Sequence, residues 1–300
     1  FSNAMTKTTL HIKHLAKPTR LDRILRDELP NIGRQAVNRL IQERNVQVNR
    51  KTVWINSWKV KNGDVLTVRN VPDALPEAPT VFDSAWIIAE DDDLVVLNKP
   101  AGLLSHATKY GNQADLLSLA EGHFGKLALM HRLDRDTSGV MLFARHEATQ
   151  QALDSAFKQH TIEKHYIAIV HTPNDLSEQG TIRARLKAHP KHRNRMQVVE
   201  KGGKFAQTDY QVSVPSNGAQ CVFLQPKTGR THQLRVHLAH VNAPIWGDRY
   251  YSDAADNYPR LFLHAHQLTI PAFNGQGSRT FTAPAPDVFL PYVPDMRRLT

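Results

Sequence analysis

The stretch from residue 131 to residue 139, HRLDRDTSG, is the densest group of reactive side chains in this 300-residue chain. It holds two carboxylates, two guanidinium groups and two hydroxyl groups between apolar runs at 128–130 and 140–143. A loop between two strands can place a carboxylate in a cleft, where arginine or backbone amides favour its ionised form. One of the two carboxylates of this loop is therefore a candidate nucleophile or general base. Composition leaves open the alternative of a connection stabilised by salt bridges.

A second polar cluster lies at residues 228–240, TGRTHQLRVHLAH. Leu234, Val236 and Leu238 alternate with polar residues, and this pattern fits either a strand or the beginning of a helix. If Arg235 points into the site, it can form a charge-assisted ion pair with a buried carboxylate there. The alternative is an ordinary surface arginine.

Other chemistries lack the motifs that they require. The histidines of both clusters do not follow the His-Glu-x-x-His spacing of a zinc site, so we predict no metal ion. A leucine interrupts the His-Arg-Asp of a kinase catalytic loop, and position 139 lacks the kinase asparagine. Neither a phosphate-binding Gly-Lys-Ser/Thr loop nor a nucleophile elbow is found. We therefore expect no cofactor.

Positive charge is concentrated near the N-terminus. Positions 1–75 contain 14 basic and 6 acidic residues, a net charge of +8, whereas positions 76–300 contain 24 and 22, a net charge of +2. This asymmetry favours a module that binds a polyanion, most commonly nucleic acid, joined to a nearly neutral body. An ordinary solvated basic surface is the alternative.

The remaining composition indicates a soluble, cytoplasmic protein. Cys221 is the single cysteine, which excludes an internal disulfide and a multi-thiolate zinc site. We find no membrane span and no signal peptide. Residues 1–4, which precede Met5, are interpreted as tag residues.

The elements that position these residues form two domains. Leu21, Ile24, Leu25 and Leu29 recur at helical spacing, a second amphipathic helix is predicted at 33–43, and strands are predicted at 46–48 and 65–68. Three prolines at 70–80 indicate an extended linker. Beyond it, strands at 86–89, 94–97, 140–143 and 166–170 mix with helices at 114–121 and 147–158. We therefore predict an α+β protein with tag residues 1–4, domains at 5–72 and 86–300, and a linker at 73–85.

Residues 131–139 closely resemble the signature His-Arg-Leu-Asp-x-x-Thr-Ser-Gly of the RluA-type pseudouridine synthases. Residues 97–102, 164–168, 229–237, 244–248 and 263–265 are similar to further family stretches in the same order. The resemblance covers about residues 86–290. The first domain resembles the alpha-L RNA-binding motif found in many members. Trp246, where the family often has a smaller aliphatic residue, is a mild departure.

The resemblance implies a catalytic domain built on a large mixed, mostly antiparallel sheet with flanking helices. It implies that Asp134 is the catalytic aspartate, Tyr166 the active-site tyrosine and Arg235 the partner of the aspartate. Arg132 is similar to the residue that helps displace the target base. The other expected substrate-binding residues are Leu133, Lys99, Arg230 and His232. The residues expected to bind RNA are Arg20, Arg23, Arg34, Arg39, Arg50 and Lys51.

The implied reaction isomerises uridine to pseudouridine in structured RNA without a cofactor. Large-subunit ribosomal RNA is the expected substrate, transfer RNA is an alternative, and the enzyme is expected to be a monomer without an obligatory protein partner. The target base must leave its helix, and Tyr166 can stack on it. Two other classes stay open, namely a non-catalytic RNA-binding assembly factor and a metal-dependent phosphodiesterase.

Overall fold

The structure is a computed structural model, and it describes residues 7–13, 15, 17–29, 34–69, 79–107, 114–171, 176–190, 195–213, 219–252 and 258–293. The chain divides into two compact units, Phe1–Glu77 and Ala78–Thr300. This division falls within the predicted linker, of which residues 73–78 lie outside the described part, as do the expected tag residues 1–4. No helix in the described ranges is long and apolar enough to span a bilayer.

The first unit combines two helices with short antiparallel strands. Its elements are β1 (Lys7–His11), β2 (Thr19–Arg20), α1 (Leu21–Glu28), α2 (Arg34–Gln42), β3 (Val46–Val48), β4 (Lys51–Val53), β5 (Lys59–Val60) and β6 (Val65–Arg69). The strands form a sheet of order β1-β6-β3-β4 and a pair β2-β5. Leu21, Ile24 and Leu25 of α1 are buried in one core with apolar residues of α2 and the strands. The helical spacing of α1 thus predicted its buried face correctly.

The basic residues expected to bind RNA occupy the surface of this unit where their side chains are described. Arg20, Arg23, Arg50 and Lys51 are exposed, and Arg39 is partly buried beside Glu43 at 3.4 Å. Arg34 begins α2, and its side chain lies outside the described part. Their contact with RNA stays a prediction.

The second unit is built on an 11-stranded sheet. Its strands are β7 (Ile87–Glu90), β8 (Leu94–Lys99), β9 (Ala128–Leu129), β10 (Ser138–Ala144), β11 (Glu163–Val170), β12 (Gln179–Ala188), β13 (Met196–Val199), β14 (Lys204–Val212), β15 (Gln220–Pro226), β16 (Leu263–Ile270) and β17 (Arg279–Thr282). The order is β13-β12-β14-β15-β11-β16-β10-β8-β7, with β17 on β16 and β9 on β10. Only β10 and β16 pair in parallel within the described sheet. The prediction of a mixed, mostly antiparallel sheet is confirmed.

In the described part of the second unit, three α-helices accompany this sheet: α3 (Leu116–Phe124), α4 (Glu147–Lys158) and α5 (Gln233–His240). The predicted helix at 147–158 has the observed bounds. The ambiguous cluster at 228–240 contains a helix, α5, rather than a strand. The predicted strand at 86–89 instead begins at Ile87, because Ser84–Trp86 form a 3₁₀ turn capped by Asp83.

Gly139 allows the signature loop to join the sheet closely. Its φ is +119°, and a Cβ here would overlap the carbonyl oxygen of Ala265 and lie 2.6 Å from the amide nitrogen of that residue. We expect Gly139→Ala to lower the free energy of unfolding by at least about 2 kcal/mol, because strain and overlap add. Urea denaturation measures this change, with Gly122→Ala in α3 as a control that has open space and is expected to be neutral or stabilising. Equal stability of the two variants would contradict this role of Gly139.

Candidate active site

A cavity of about 650 Å³ opens in the second unit between the signature loop, β11 and the loop before α5. Seven of the predicted site residues line it: Arg132, Leu133, Asp134, Tyr166, Arg230, His232 and Arg235. These residues come from three separate stretches of the chain. The fold therefore brings together the two polar clusters that the sequence presents about 100 residues apart.

Asp134 and Arg235 form the charged centre of the cavity. The Arg235 Nη1 donates a hydrogen bond to the Asp134 Oδ2 at 3.0 Å, and the Asp134 side chain keeps 27% of its surface exposed. Arg235 itself is almost fully buried. The carboxylate is thus fixed on one oxygen and open to the cavity, which is the arrangement that a nucleophile or general base requires.

Asp248 holds Arg235 in place from the side away from the cavity. Its two carboxylate oxygens accept hydrogen bonds from Nε and Nη2 of Arg235, both at 2.7 Å, and it is fully buried. The backbone amides of Tyr250 and Tyr251 donate to the same carboxylate at 2.9 and 3.2 Å. Burial opposes the charge on Arg235, but Asp248 and Asp134 together raise the pKa of Arg235 above its ordinary value. The guanidinium therefore stays charged with a fixed orientation.

Sequence reasoning gave Asp248 no role. The signal was present, because Asp248 lies in the stretch 244–248 that resembles the family. A lone aspartate carries no pattern by itself, however, and its pairing with Arg235 is visible only in three dimensions.

His232 faces Asp134 as a neutral ring. Its Nε2 lies 3.7 Å from the Asp134 Oδ2, and its Nδ1 is 3.0 Å from the Tyr251 hydroxyl. The Tyr251 hydroxyl accepts a hydrogen bond from the Met196 amide at 2.8 Å, and burial raises the pKa of Tyr251 to about 12. The hydroxyl therefore keeps its proton and donates it to Nδ1 of His232. Burial and the charge of Arg235 lower the pKa of His232. We therefore assign the remaining ring proton to Nε2, on the side of Asp134.

Tyr166 forms a second wall of the cavity from β11. Burial first, and the nearby charge of Asp134 second, raise the pKa of Tyr166 above its ordinary value. Its hydroxyl is therefore protonated at neutral pH. A protonated phenol can donate a hydrogen bond or relay a proton, while its ring offers a face for a base.

Lys99 does not lie where a substrate-binding residue would. It is fully buried, and its Nζ donates to the carbonyl oxygens of Pro100, Leu103 and Arg135 at 2.9, 2.7 and 2.9 Å. Burial lowers the pKa of Lys99 to about 7. The expectation that Lys99 binds substrate is wrong in this structure, because all three donors are used inside the protein. Its contact with Arg135 instead supports the signature loop.

Two further polar side chains hold the cavity loops. The Ser105 hydroxyl donates to the Leu133 carbonyl at 2.7 Å and accepts the amide of the same residue at 3.0 Å. The side-chain Oε1 of the buried Gln233 accepts hydrogen bonds from the Thr228 hydroxyl at 2.7 Å and from the backbone N–H of Arg230 at 3.0 Å. Asp134 and Arg230 are thereby carried on loops with fixed backbones.

The single histidine of the signature, His131, is held by a backbone hydrogen bond. His131 accepts a hydrogen bond from the Leu142 amide at 3.1 Å, and burial lowers its pKa to about 3. Within the described residues, no three His, Cys, Asp or Glu side chains are grouped to hold a metal ion.

Comparison with known proteins agrees with this geometry. Residues 93–240 match the model of the RNA pseudouridylate synthase family, and residues 19–66 match the S4 domain. The chain is similar to a protein named ribosomal large subunit pseudouridine synthase C from Vibrio cholerae, with 34% identity over 83% of this chain and 84% of the relative. A protein named ribosomal large subunit pseudouridine synthase D from Nitrosomonas europaea is 31% identical over 89% and 81%.

A solved structure extends the comparison to the fold. The chain is similar to the structure of the human RNA pseudouridylate synthase domain containing 4, with a TM-score of 0.56 and 30% identity over 69% of this chain and 91% of that chain. Two independent observations thus agree, the matched family model and the arrangement of signature residues around one cavity. This chain belongs to the RNA pseudouridine synthase family, with an S4 domain before its catalytic domain.

Proposed function

We propose that this enzyme isomerises uridine in large-subunit ribosomal RNA, with Asp134 as its catalytic carboxylate. The observation that carries the proposal is the ion pair in the cavity between Asp134 and Arg235. Arg235 is buried and is held by two further hydrogen bonds to Asp248. The names of the Vibrio and Nitrosomonas relatives support the choice of ribosomal RNA, and transfer RNA has no such support among them. An S4 domain is suited to recruiting structured RNA.

The reaction breaks the bond from uracil N1 to ribose C1′, turns the uracil within the cavity and rejoins it to C1′ through C5. Asp134 either attacks the sugar at C1′ or removes its 2′ proton. In both cases Arg235 holds the carboxylate in place. When the new bond forms, C5 loses its proton and N1 gains one, so the reaction has no net oxidation. Tyr166 stacks on the extruded base, and its hydroxyl relays a proton.

Substrate choice is tested by tritium release. RNA labelled at uracil C5 loses tritium to water when C5 joins the sugar. We expect release from large-subunit ribosomal RNA transcripts and none above background from transfer RNA. Release from transfer RNA alone would overturn the assignment of the substrate while leaving the isomerase activity intact.

We also propose that the enzyme acts as a monomer in the cytoplasm and needs no protein partner. The single buried Cys221 agrees with a reducing compartment. Sedimentation of the active protein tests the oligomeric state.

The basic surface of the first unit is expected to set the salt dependence of RNA binding. In the double variant Arg23→Gln, Arg50→Gln, two exposed cations are neutralised in the full-length protein. We expect the slope of log affinity against log salt to fall by about 0.7–0.9 for each phosphate that the protein no longer neutralises. Single-turnover rates at saturating RNA should stay near wild type, because the binding energy falls equally in the ground and transition states.

The matched control is Lys126→Gln, which removes one exposed charge from the second unit. An unchanged salt slope in the double variant would show that these arginines do not contact RNA.

A further inference from the structure

Strand β12 presents a row of cations on one face of the sheet. Ile182 and Leu186 are buried, whereas Arg183, Arg185 and Lys187 between and beyond them are exposed. Alternate residues of a strand point to the same side, so these three cations line one surface. The proposed reaction uses none of them.

An exposed aromatic ring lies in the middle of this row. Phe205 of β14 pairs directly with Arg185 of β12, and 46% of its surface is exposed. Among the described residues of the second unit it is the one exposed phenylalanine, tyrosine or tryptophan. Arg183 donates to the neighbouring Gln207 Oε1 at 3.3 Å, which places the two side chains on the same face.

The charge of this face is positive. Its acidic residue is Asp209, which accepts a hydrogen bond from Thr181 at 2.7 Å and lies 3.4 Å from the ammonium of Lys227. That charge is therefore compensated locally, whereas the three cations of β12 form no ion pair with a carboxylate in the described part of the chain. Single-stranded nucleic acid fits such a surface, because its phosphates are negatively charged and its bases expose faces that can stack on an aromatic ring.

Strand β14 separates this face from the active-site cavity. The side chain of Thr208 points to the cavity side, where it contacts Gln233 and His237 of α5, whereas Phe205 and Gln207 point to the opposite side of the sheet. The Phe205 carbonyl accepts a hydrogen bond from Nε of Arg230 at 3.0 Å, and Arg230 lines the cavity. The Gln207 carbonyl accepts a hydrogen bond at 2.9 Å from Nε2 of Gln233, the first residue of α5, which also lines the cavity. The backbone of β14 thus contacts the loop and the helix of the site, while Phe205 and Gln207 form part of the exposed face on the other side of the sheet.

We propose that this face, the β12–β14 platform of Arg183, Arg185, Lys187 and Phe205, binds unpaired nucleotides of the RNA substrate outside the cavity. The proposal rests on the isomerase function proposed above. Phe205 stacks on one base, and the cations contact the phosphates on either side. Stacking on an aromatic side chain needs an exposed base face, which a continuous duplex does not offer. The platform therefore favours single-stranded RNA and extends the binding site beyond the cavity.

The test compares full-length Phe205→Ala and Phe205→Trp for binding of a fluorescent oligouridylate and of an RNA duplex of equal length. Leu290→Ala is the matched control, since it shortens another exposed apolar side chain of the same unit. Arg185→Gln tests the cations, with Lys126→Gln as its control. Steady-state kinetics on ribosomal RNA transcripts accompany the binding data.

We expect Phe205→Ala to weaken oligouridylate binding by about 5- to 150-fold, with little dependence on salt, and Phe205→Trp to bind as the wild type does. Arg185→Gln should lower the salt slope by about 0.7. On the RNA substrate, KM should rise in Phe205→Ala and the single-turnover rate at saturation should not change. Duplex binding should be the same in the wild type, Phe205→Ala and Phe205→Trp.

Equal oligouridylate affinity of Phe205→Ala and Phe205→Trp would overturn the proposal, as would an equal loss for the duplex. A wild-type dimer that Phe205→Ala dissociates would assign the face to a second copy of the chain instead. These outcomes are distinct from a failure of the isomerase assignment, because that failure would appear as absence of turnover in the wild type.

Discussion

Replacing Asp134 by asparagine should abolish turnover while leaving RNA affinity within a few-fold of wild type. The amide keeps the shape of the carboxylate but can neither attack the sugar nor remove a proton efficiently. A general acid or base alone contributes about a hundredfold to ten-thousandfold, so residual pseudouridine formation should be below about 1% of wild type. Tritium release at saturating RNA measures it.

The variant should still fold, because Arg235 keeps its two hydrogen bonds to Asp248. The matched control is Asp136→Asn in the same loop, whose carboxylate pairs with Arg135 at 3.0 Å outside the cavity lining. We expect the turnover rate of this control to stay within a few-fold of the wild-type rate. Turnover of Asp134→Asn above about 1% would falsify the catalytic assignment.

Replacing Tyr166 by phenylalanine should separate binding from proton transfer. The ring remains available for stacking, so RNA affinity should be retained. Because burial and Asp134 keep the Tyr166 hydroxyl protonated, deleting it removes a proton donor from the cavity. We expect the single-turnover rate to fall by about a hundredfold or more.

Tyr166→Leu provides the complementary variant, since it removes the ring as well and should weaken RNA binding in addition. If Tyr166→Phe runs at the wild-type rate, the hydroxyl has no chemical role and the residue serves only as a stacking surface.

The sequence predicted the residues that line the cavity better than the contacts that hold them in place. Asp134 and Tyr166 were identified because they fall within specific signature strings. Lys99 was assigned wrongly, because a lysine is ordinarily exposed and its three carbonyl partners come from the folded backbone. Asp248 was missed for the same reason, since its role depends on a contact with Arg235 across 13 residues.

Helix α5 shows why periodicity failed at the second cluster. All residues from Gln233 to Leu238 are buried, including Arg235 and His237, so the helix has no polar face at these positions. A helix buried on all sides loses the hydrophobic period that identifies an amphipathic one. Strand β12, by contrast, keeps a clear period in its sequence. Its exposed cations alternate with Ile182, Ala184 and Leu186, which is the pattern of a half-buried strand.

We expect Asp134 to act on a uridine of large-subunit ribosomal RNA. Pseudouridine mapping of cellular RNA tests it most directly, in cells that lack this gene and carry wild-type protein, Asp134→Asn or neither. We predict that at least one large-subunit site loses its pseudouridine in the deletion, regains it with wild type and stays unmodified with Asp134→Asn. An unchanged large-subunit map would contradict the assignment of the substrate, and restoration by Asp134→Asn would contradict the catalytic role of Asp134.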